Sequence, residues 1–351
     1  MIRKLLTLVL AVVVIVSLVI GGCAKPAPPA PAPAPEKLVL RLGHCAPPGQ
    51  IMDRANNFFK NYVEEHTGGA IEIEIYPQSQ LGGERAMFDQ VLAGTLDMAS
   101  IGAPIQSTAV KEYSAFCLPF VIPDEDVFWD MTVVPSLRNK LFDIVRERIG
   151  VETLGFDDGC ARGLLNKKRT VRSPDDVKGL KIRVMEGAIY ADMFTALGAI
   201  TAPIPFPEVY TALQQGVIDG EDNSCDMAIY MKFVEQEKFF TDTNQTIQTN
   251  PLIVSKSAWA KLTEEQKQIF REAGLAMDIF SEEDYLKERD ESYDIARDKY
   301  GVEVTLLTPQ EREAFVEKMS SVHDKYKPII GEEFYDLFMS VAKECRQKLG
   351  K

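Results

Sequence analysis

Histidine is scarce in this chain of 351 residues, which has only three, His44, His66 and His323. They lie far apart in sequence, without the spacing that lets imidazoles share a metal. No GxSxG elbow, phosphate-cradling P-loop or GxGxxG fingerprint occurs, so the usual sequence signals of nucleophilic, phosphoryl-transfer and dinucleotide chemistry are missing. Carboxylate pairs are plentiful in so acidic a chain and therefore point nowhere. Basic residues are in deficit, 39 Lys and Arg against 52 Asp and Glu, giving a formal net charge of -13. That excess argues against nucleic acid or an anionic lipid surface as a partner. Cysteines are few and unpaired in pattern: beyond Cys23 there are Cys45, Cys117, Cys160, Cys225 and Cys345, with no CxxC. An odd number cannot form a full framework within one chain. The expectation is buried small hydrophobes with at most one bridge, such as Cys160 to Cys225. No cofactor and no metal is expected, and no internal repeat is evident.

The first residues, Met1 to Lys4, are basic and precede an apolar run from Leu5 to Ile20. As a helix this run covers about 24 Å, short of the roughly 30 Å hydrocarbon core, so it reads as an export signal over residues 1–22. Gly21 and Gly22 before Cys23 resemble a lipoprotein-processing site, with Cys23 as the lipidated residue, although Ile20 and Gly21 depart from the commoner Leu-Ala or Leu-Ser. An uncleaved signal anchor would hold the same body on the same side of the membrane. Residues 24–35 are almost entirely alanine and proline, an extended tether that cannot bury a core. Loss of Arg3 and Lys4 with the signal takes the formal charge from -13 to -15. An anionic ligand would then need a local positive site.

The remainder, from about residue 37 to 351, is long enough for two α/β lobes of ordinary size. Leu38 to Leu42 alternates as a strand. Ala55, Phe58, Phe59, Tyr62 and Val63 form a helical stripe that Gly68-Gly69 ends, and Ile71 to Ile75 alternates again. This β-α-β opening predicts a parallel pair with a right-handed crossover. Glu84 to Ala93 predicts a helix, Leu96 to Ile101 a strand, and Ser173-Pro174-Asp175-Asp176 a short capped helix. A capping box at Thr263 to Gln266 opens a stretch that stays helix-compatible to about Tyr300 despite Gly274. A helix of that length either runs across both lobes or kinks between them. Val302 to Leu307 then reads as a strand, Thr308 to Glu311 caps another helix, and Glu332 to Leu349 forms a last one.

Between them, Gly179 to Ser224 sets Arg183 in the strand Leu180-Lys-Ile-Arg-Val184, on the face opposite Leu180, Ile182 and Val184. In a wound α/β sheet, ligands gather beyond strand ends. The planar arginine fork matches a carboxylate. A solvated strand-face arginine beside Lys181 fits the spacing equally well. Asp219-Gly-Glu-Asp-Asn223 reads as a turn whose acidic groups hold backbone amides and neighbouring side chains rather than a cation. Glu208 and Tyr210 head a helix-like stretch through Leu213 and read as capping and packing.

Five stretches in order carry a resemblance over essentially the whole body: Ile75-Tyr-Pro-Gln-Ser-Gln-Leu-Gly82, Gly94-Thr-Leu-Asp-Met-Ala99, Gly179-Leu-Lys-Ile-Arg-Val184, Phe206-Pro-Glu-Val-Tyr-Thr-Ala-Leu213 and Asp219-Gly-Glu-Asp-Asn223. The chain resembles a solute-binding protein of the tripartite ATP-independent periplasmic (TRAP) transporters, of the DctP type. The resemblance implies a two-lobed, type II-like periplasmic binding protein with a long helix spanning both lobes. It divides the body into lobe I, residues 37–159 plus 250–288, and lobe II, residues 160–249 plus 289–351. It implies a receptor rather than an enzyme, taking a small organic acid and delivering it to small and large TRAP membrane subunits. It further implies that Arg183 pairs with the ligand carboxylate and Asn223 donates to it. Arg162, in Gly159-Cys-Ala-Arg162 with one residue more than the family's Gly-x-Arg pattern, would assist. Phe206, stiffened by Pro205 and Pro207, would pack on the ligand or be ordinary core. His44 and Cys45 would reach the pocket after the first strand, or be structural. Gly102 stands where acid-sugar binders of the family carry a glutamate, which argues against a sialic-acid-like ligand. A sensing subunit for a receptor kinase would use the same pocket, whereas an ATP-driven importer's receptor or a lipid-anchored hydrolase fits the motifs less well.

Overall fold

The alternating segments of the opening become strands β1 (Leu38–Gly43) and β2 (Ile71–Tyr76). They pair in parallel and are joined by the helix Ile51–His66. The structure is a computed structural model describing residues 37–351, apart from the side chains of Leu286 and Lys287. The expected export signal, Cys23 and the tether lie outside those residues. Further along are β3 (Met98–Ser100), β4 (Glu152–Phe156), β5 (Ala161–Asn166), β6 (Lys181–Val184), β7 (Ile200–Pro203), β8 (Gly220–Asn223), β9 (Phe239–Ile247), β10 (Pro251–Val254) and β11 (Glu303–Leu306). They form two sheets, one ordered β2-β1-β3-β10-β4 and the other β11-β9-β5-β8-β6-β7. The chain passes between sheets from β4 to β5 and back from β9 to β10, through short connections. Among the described residues no helix is long and apolar enough to cross a membrane.

The third passage is the helix Glu264–Tyr300, opened by the Thr263–Gln266 capping box and closed by left-handed Gly301. Its 37 residues span about 55 Å at 1.5 Å per residue. Phe270, Ala273 and Met277 join the core of the first sheet with Leu40 and Leu252, while Ala296 joins that of the second with Leu165 and Phe240. Gly274 does not break it. A Cβ there would lie 2.3 Å from the Leu154 carbonyl oxygen, so glycine is what lets the helix rest on β4. Asp278, one turn on, accepts from the Phe156 backbone N–H at 2.6 Å and from Arg138 at 2.5 Å.

Three expectations need correction. Gly220–Asn223 is not a turn but the inner strand β8, antiparallel to β5 and parallel to β6. Its polarity misleads because ladder partners on both sides satisfy its backbone, and Asp222 meets a buried arginine. The Cys160–Cys225 bridge does not form: the five cysteines of the described residues are free and buried. Cys160 packs with Ile51 and Tyr285, and Cys225 sits in another cluster with its thiol toward the Ser292 carbonyl. The strand expected over Leu96 to Ile101 shortens to β3, because Leu96 is still tied to Gln90 at the preceding helix end.

The last helix, Glu332–Leu349, lays its stripe of Phe334, Phe338 and Val341 into the core that holds Phe116, Phe128 and Trp129. Phe338 meets Phe116 edge-on at 4.8 Å. It therefore covers elements that precede β4 rather than the second sheet.

Candidate functional site

A cavity of about 20 Å³ lies where the two sheets face one another. The first set of elements contributes Cys45, just after β1, together with Met52, Glu84 and Asn250. The second contributes Arg162 on β5, Arg183 on β6, Met185, Phe206, Asn223 at the end of β8, and Met227. Asp158 and Gln248 come from the two short crossings. Neighbouring strands β6 and β8 bring Arg183 opposite Glu221 in register.

The two arginines are both buried but differently employed. Arg162 donates through Nε to Asp222 Oδ2 at 2.8 Å, through Nη2 to the Asp222 carbonyl and through Nη1 to Gln248 Oε1, and its guanidinium lies over the Tyr190 ring at 5.5 Å. Burial works against its charge, but the Asp222 carboxylate more than offsets this and raises its pKa. Arg183 donates only Nε, to the Ile204 carbonyl at 2.9 Å. Its Nη1 stands 3.7 Å from Glu221 Oε2, beyond hydrogen-bond length, and its guanidinium lies 5.5 Å from the centre of the Phe206 ring. Among the described residues its two terminal nitrogens have no hydrogen-bond acceptor, and burial lowers its pKa. An arginine held by Nε at a cavity wall, with its terminal nitrogens unshared among the described residues, is arranged to take an oxyanion in two parallel bonds.

The carboxyls around them are pushed up by burial. Glu221 rises to about 7, with Arg183 the main opposing influence. Its Oε1 accepts from Asn223 Nδ2 at 3.3 Å, and Oε2 has no hydrogen-bond partner. Behind it, burial and then the charge of Glu221 drive the Glu237 carboxyl well above its ordinary range. Asp158 rises to about 7 and accepts from the Cys160 N–H at 3.1 Å. Glu84, also raised by burial, accepts from the Gly102 N–H at 2.8 Å through Oε1, leaving Oε2 without a partner among the described residues.

Arg183, Asn223, Arg162, Phe206 and Cys45 are thus brought together at one cavity. His44 is not among its lining residues: fully buried, it directs Nε2 toward Asp53 Oδ1 at 3.3 Å. Phe206 also belongs to the second sheet's core and meets Phe233 edge-on at 5.7 Å. Of the acidic trio, Asp222 holds Arg162, Glu221 faces Arg183, and Asp219 accepts from the Lys181 N–H at 3.0 Å. Tyr210 donates to Glu235 at 3.0 Å, and Glu208 makes no capping bond. Among the described residues no group of three or more His, Cys, Asp or Glu is placed to hold a metal. Sequence reading missed Met52, Glu84, Asp158, Met185, Met227, Gln248 and Asn250. Glu84 lies two residues beyond a matched stretch and Asp158 four before Arg162, so proximity was the only signal for either. The methionines and amides carried none.

A mixed α/β fold with two facing sheets, a helix running past both and an unshared arginine fork between them defines a two-lobed binding protein: a receptor, not an enzyme. The chain belongs to the bacterial extracellular solute-binding proteins, family 7 (DctP), whose profile matches residues 42–328. It is 27% identical over 304 residues to the C4-dicarboxylate-binding periplasmic protein DctP of Rhodobacter capsulatus, covering 85% of this chain and 89% of that protein. An uncharacterized protein of Sinorhizobium fredii is 34% identical over 238 residues, 67% of this chain but only 44% of that protein's length. The fold is similar to a TRAP periplasmic solute-binding protein of Ralstonia eutropha solved with bound (S)-2-hydroxy-2-methyl-3-oxobutanoate. In that case the TM-score is 0.82 at 26% identity, covering 88% of this chain and 100% of that chain.

Proposed function

We propose that this protein is an extracytoplasmic receptor that captures a small organic acid between its lobes and delivers it to the membrane subunits of a TRAP transporter. The observation that carries this reading is the Arg183 fork, buried, facing the cavity and unshared with any protein acceptor among the described residues. Two charged hydrogen bonds to a carboxylate there contribute about 1.5–3 kcal/mol each. Asn223 flanks the fork, Phe206 covers its face, and Arg162, neutralised by Asp222, braces the wall. Relatives are named for a C4-dicarboxylate or hold a hydroxy-keto acid, and both ligands present a carboxylate.

The lobes in this reading are residues 37–159 plus 250–288 and residues 160–249 plus 289–351, the last helix belonging to the second in sequence but packing on elements of the first. Contacts made only when the lobes meet shift the population toward the closed form, by no more than their differential free energy. Cys23, lipidated after removal of residues 1–22, would hold the body outside the cytoplasmic membrane on its Ala/Pro tether.

A thermal-shift screen of the mature protein against mono- and dicarboxylates, keto acids, sugar acids, amino acids and aromatic acids tests the reading. Ligand at a hundredfold over its Kd adds about 2.7 kcal/mol, a rise of several degrees. The expected result is a shift with one acid class that Arg183→Ala abolishes. No shift with any acid, after unfolding and refolding to strip carried-over ligand, refutes it.

A further inference from the structure

We propose that the ligand is a monocarboxylate carrying a hydroxyl group, that Asp158 reads that hydroxyl, and that dicarboxylates and simple keto acids are rejected. The inference rests on the reading of Arg183 as the carboxylate partner and narrows it. Of the four charged side chains lining the cavity, two are cations, but only one is available. All three nitrogens of Arg162 already have protein acceptors, and Asp222 balances its charge. Arg162 keeps one N–H on each terminal nitrogen, but with Asp222 paired to it a second ligand carboxylate would find no uncompensated cation.

It would find carboxyls instead. Asp158 and Glu84 line the same cavity and are at least nine-tenths buried, with 3% and 5% exposure. When ionised they only accept hydrogen bonds. A ligand hydroxyl can donate to Asp158, whereas a keto oxygen cannot, and a second carboxylate adds like charge beside two buried acids. The amides do not reverse this. Gln248 holds Arg162 and Asn250, and Asn223 holds Glu221 and the Ser224 N–H, each amide nitrogen keeping one N–H. Asn250 Nδ2, whose contact is Met52 Sδ at 4.0 Å, is left as a donor. A hydroxyl can give to Asp158 and accept from such a donor; a keto group could only accept, leaving Asp158 unpaired.

The test is calorimetric titration of the mature protein in detergent at pH 8.5, where Asp158 is ionised, with matched acids: D- and L-lactate and D-glycerate, pyruvate, and malonate. A hydroxy acid is expected to bind at least about tenfold more tightly than pyruvate or malonate, because a site built for a hydroxyl is left unpaired by its analogue. Asp158→Asn keeps an oxygen for the Cys160 N–H and supplies a donor, so it should collapse that preference to within about threefold, with an unchanged circular dichroism spectrum as the folding control. Equal affinity for the three classes, tighter binding of pyruvate or malonate, or an unchanged preference in Asp158→Asn overturns the proposal while leaving the Arg183 reading in place. No binding by any of these acids overturns the proposal too, and the Arg183 reading then falls only if the wider acid screen is also blank.

Discussion

Gly187 and Pro104 meet where the lobes close, and adding one methyl group there should open them. The Gly187 backbone is extended, with φ -162° and ψ 132°, a conformation open to any residue, so it is space that demands glycine here. A Cβ would stand 2.7 Å from Pro104 Cβ and 2.8 Å from its carbonyl oxygen. Carbon atoms settle at about 3.5–4.0 Å, and neither a proline ring nor a backbone carbonyl can swing aside, so the lobes must part by on the order of 1 Å. Overpacking of this kind costs about 1–3 kcal/mol. Borne by the closed form alone, that cost raises Kd by roughly 5- to 150-fold. The assay is calorimetric titration of Gly187→Ala with the acid found by screening, beside thermal melts without ligand and small-angle scattering at saturation. The expected outcome is weaker binding, an unchanged unliganded midpoint and a larger liganded radius of gyration. Unchanged affinity, or an unliganded midpoint that falls by as much as the binding does, would place the contact inside one rigid body and refute the reasoning.

Arg183→Lys should weaken acid binding by about 1.5–3 kcal/mol in the same titration, since a point ammonium replaces a two-pronged fork; an unchanged Kd would remove Arg183 from the site. Because burial lifts the folded-state pKa of Glu221 from 4.5 to about 7, its contribution to stability is complete below about pH 4.5 and is lost as pH rises through 7. The wild-type melting midpoint should therefore fall more between pH 5 and 8 than that of Glu221→Gln, and parallel curves would show that Glu221 does not titrate in this range. Gly274→Ala should lower the melting midpoint by several degrees, because its Cβ would press on the Leu154 carbonyl. A midpoint within a degree of wild type would mean that the helix can lift off β4 without cost.

Much of the frame was legible because caps and periodicity are local signals. The boxes at Thr263 and Thr308 set two helix starts, and the helices Glu84–Ala93 and Glu332–Leu349 fall where the apolar pattern put them. Gly274, read only as a residue the helix tolerates, turned out to be a contact requirement that only the neighbouring strand reveals. The strand β8 was illegible for the opposite reason: its three side chains, of Glu221, Asp222 and Asn223, are acidic and amide, yet all are buried because two arginines from separate strands arrive beside them. Composition cannot announce partners that are 38 and 60 residues away. The same holds for Glu84 and Asp158, two acids among many until the fold points them into one cavity. His44 shows the limit of position along a strand: one residue before Cys45, it faces Asp53 instead of the cavity.

The chain crosses between the sheets three times, and the crossings are mechanically unlike. Two are short connections side by side, at residues 157–160 and 248–250, where Asp157 N–H donates to the Asn250 carbonyl at 3.2 Å and Gln248 N–H to the Cys160 carbonyl at 2.7 Å. Pinned together, they act as a door hinge with one axis. The third is a 37-residue helix lying off that axis, anchored to β4 through Gly274 and Asp278 and to the other sheet's core through Ala296. A strut fixed at both ends cannot follow a rotation about another line without flexing. If the lobes swing as proposed, each swing would load this helix like a leaf spring, and its stiffness would set the restoring force against which a captured acid holds the door shut.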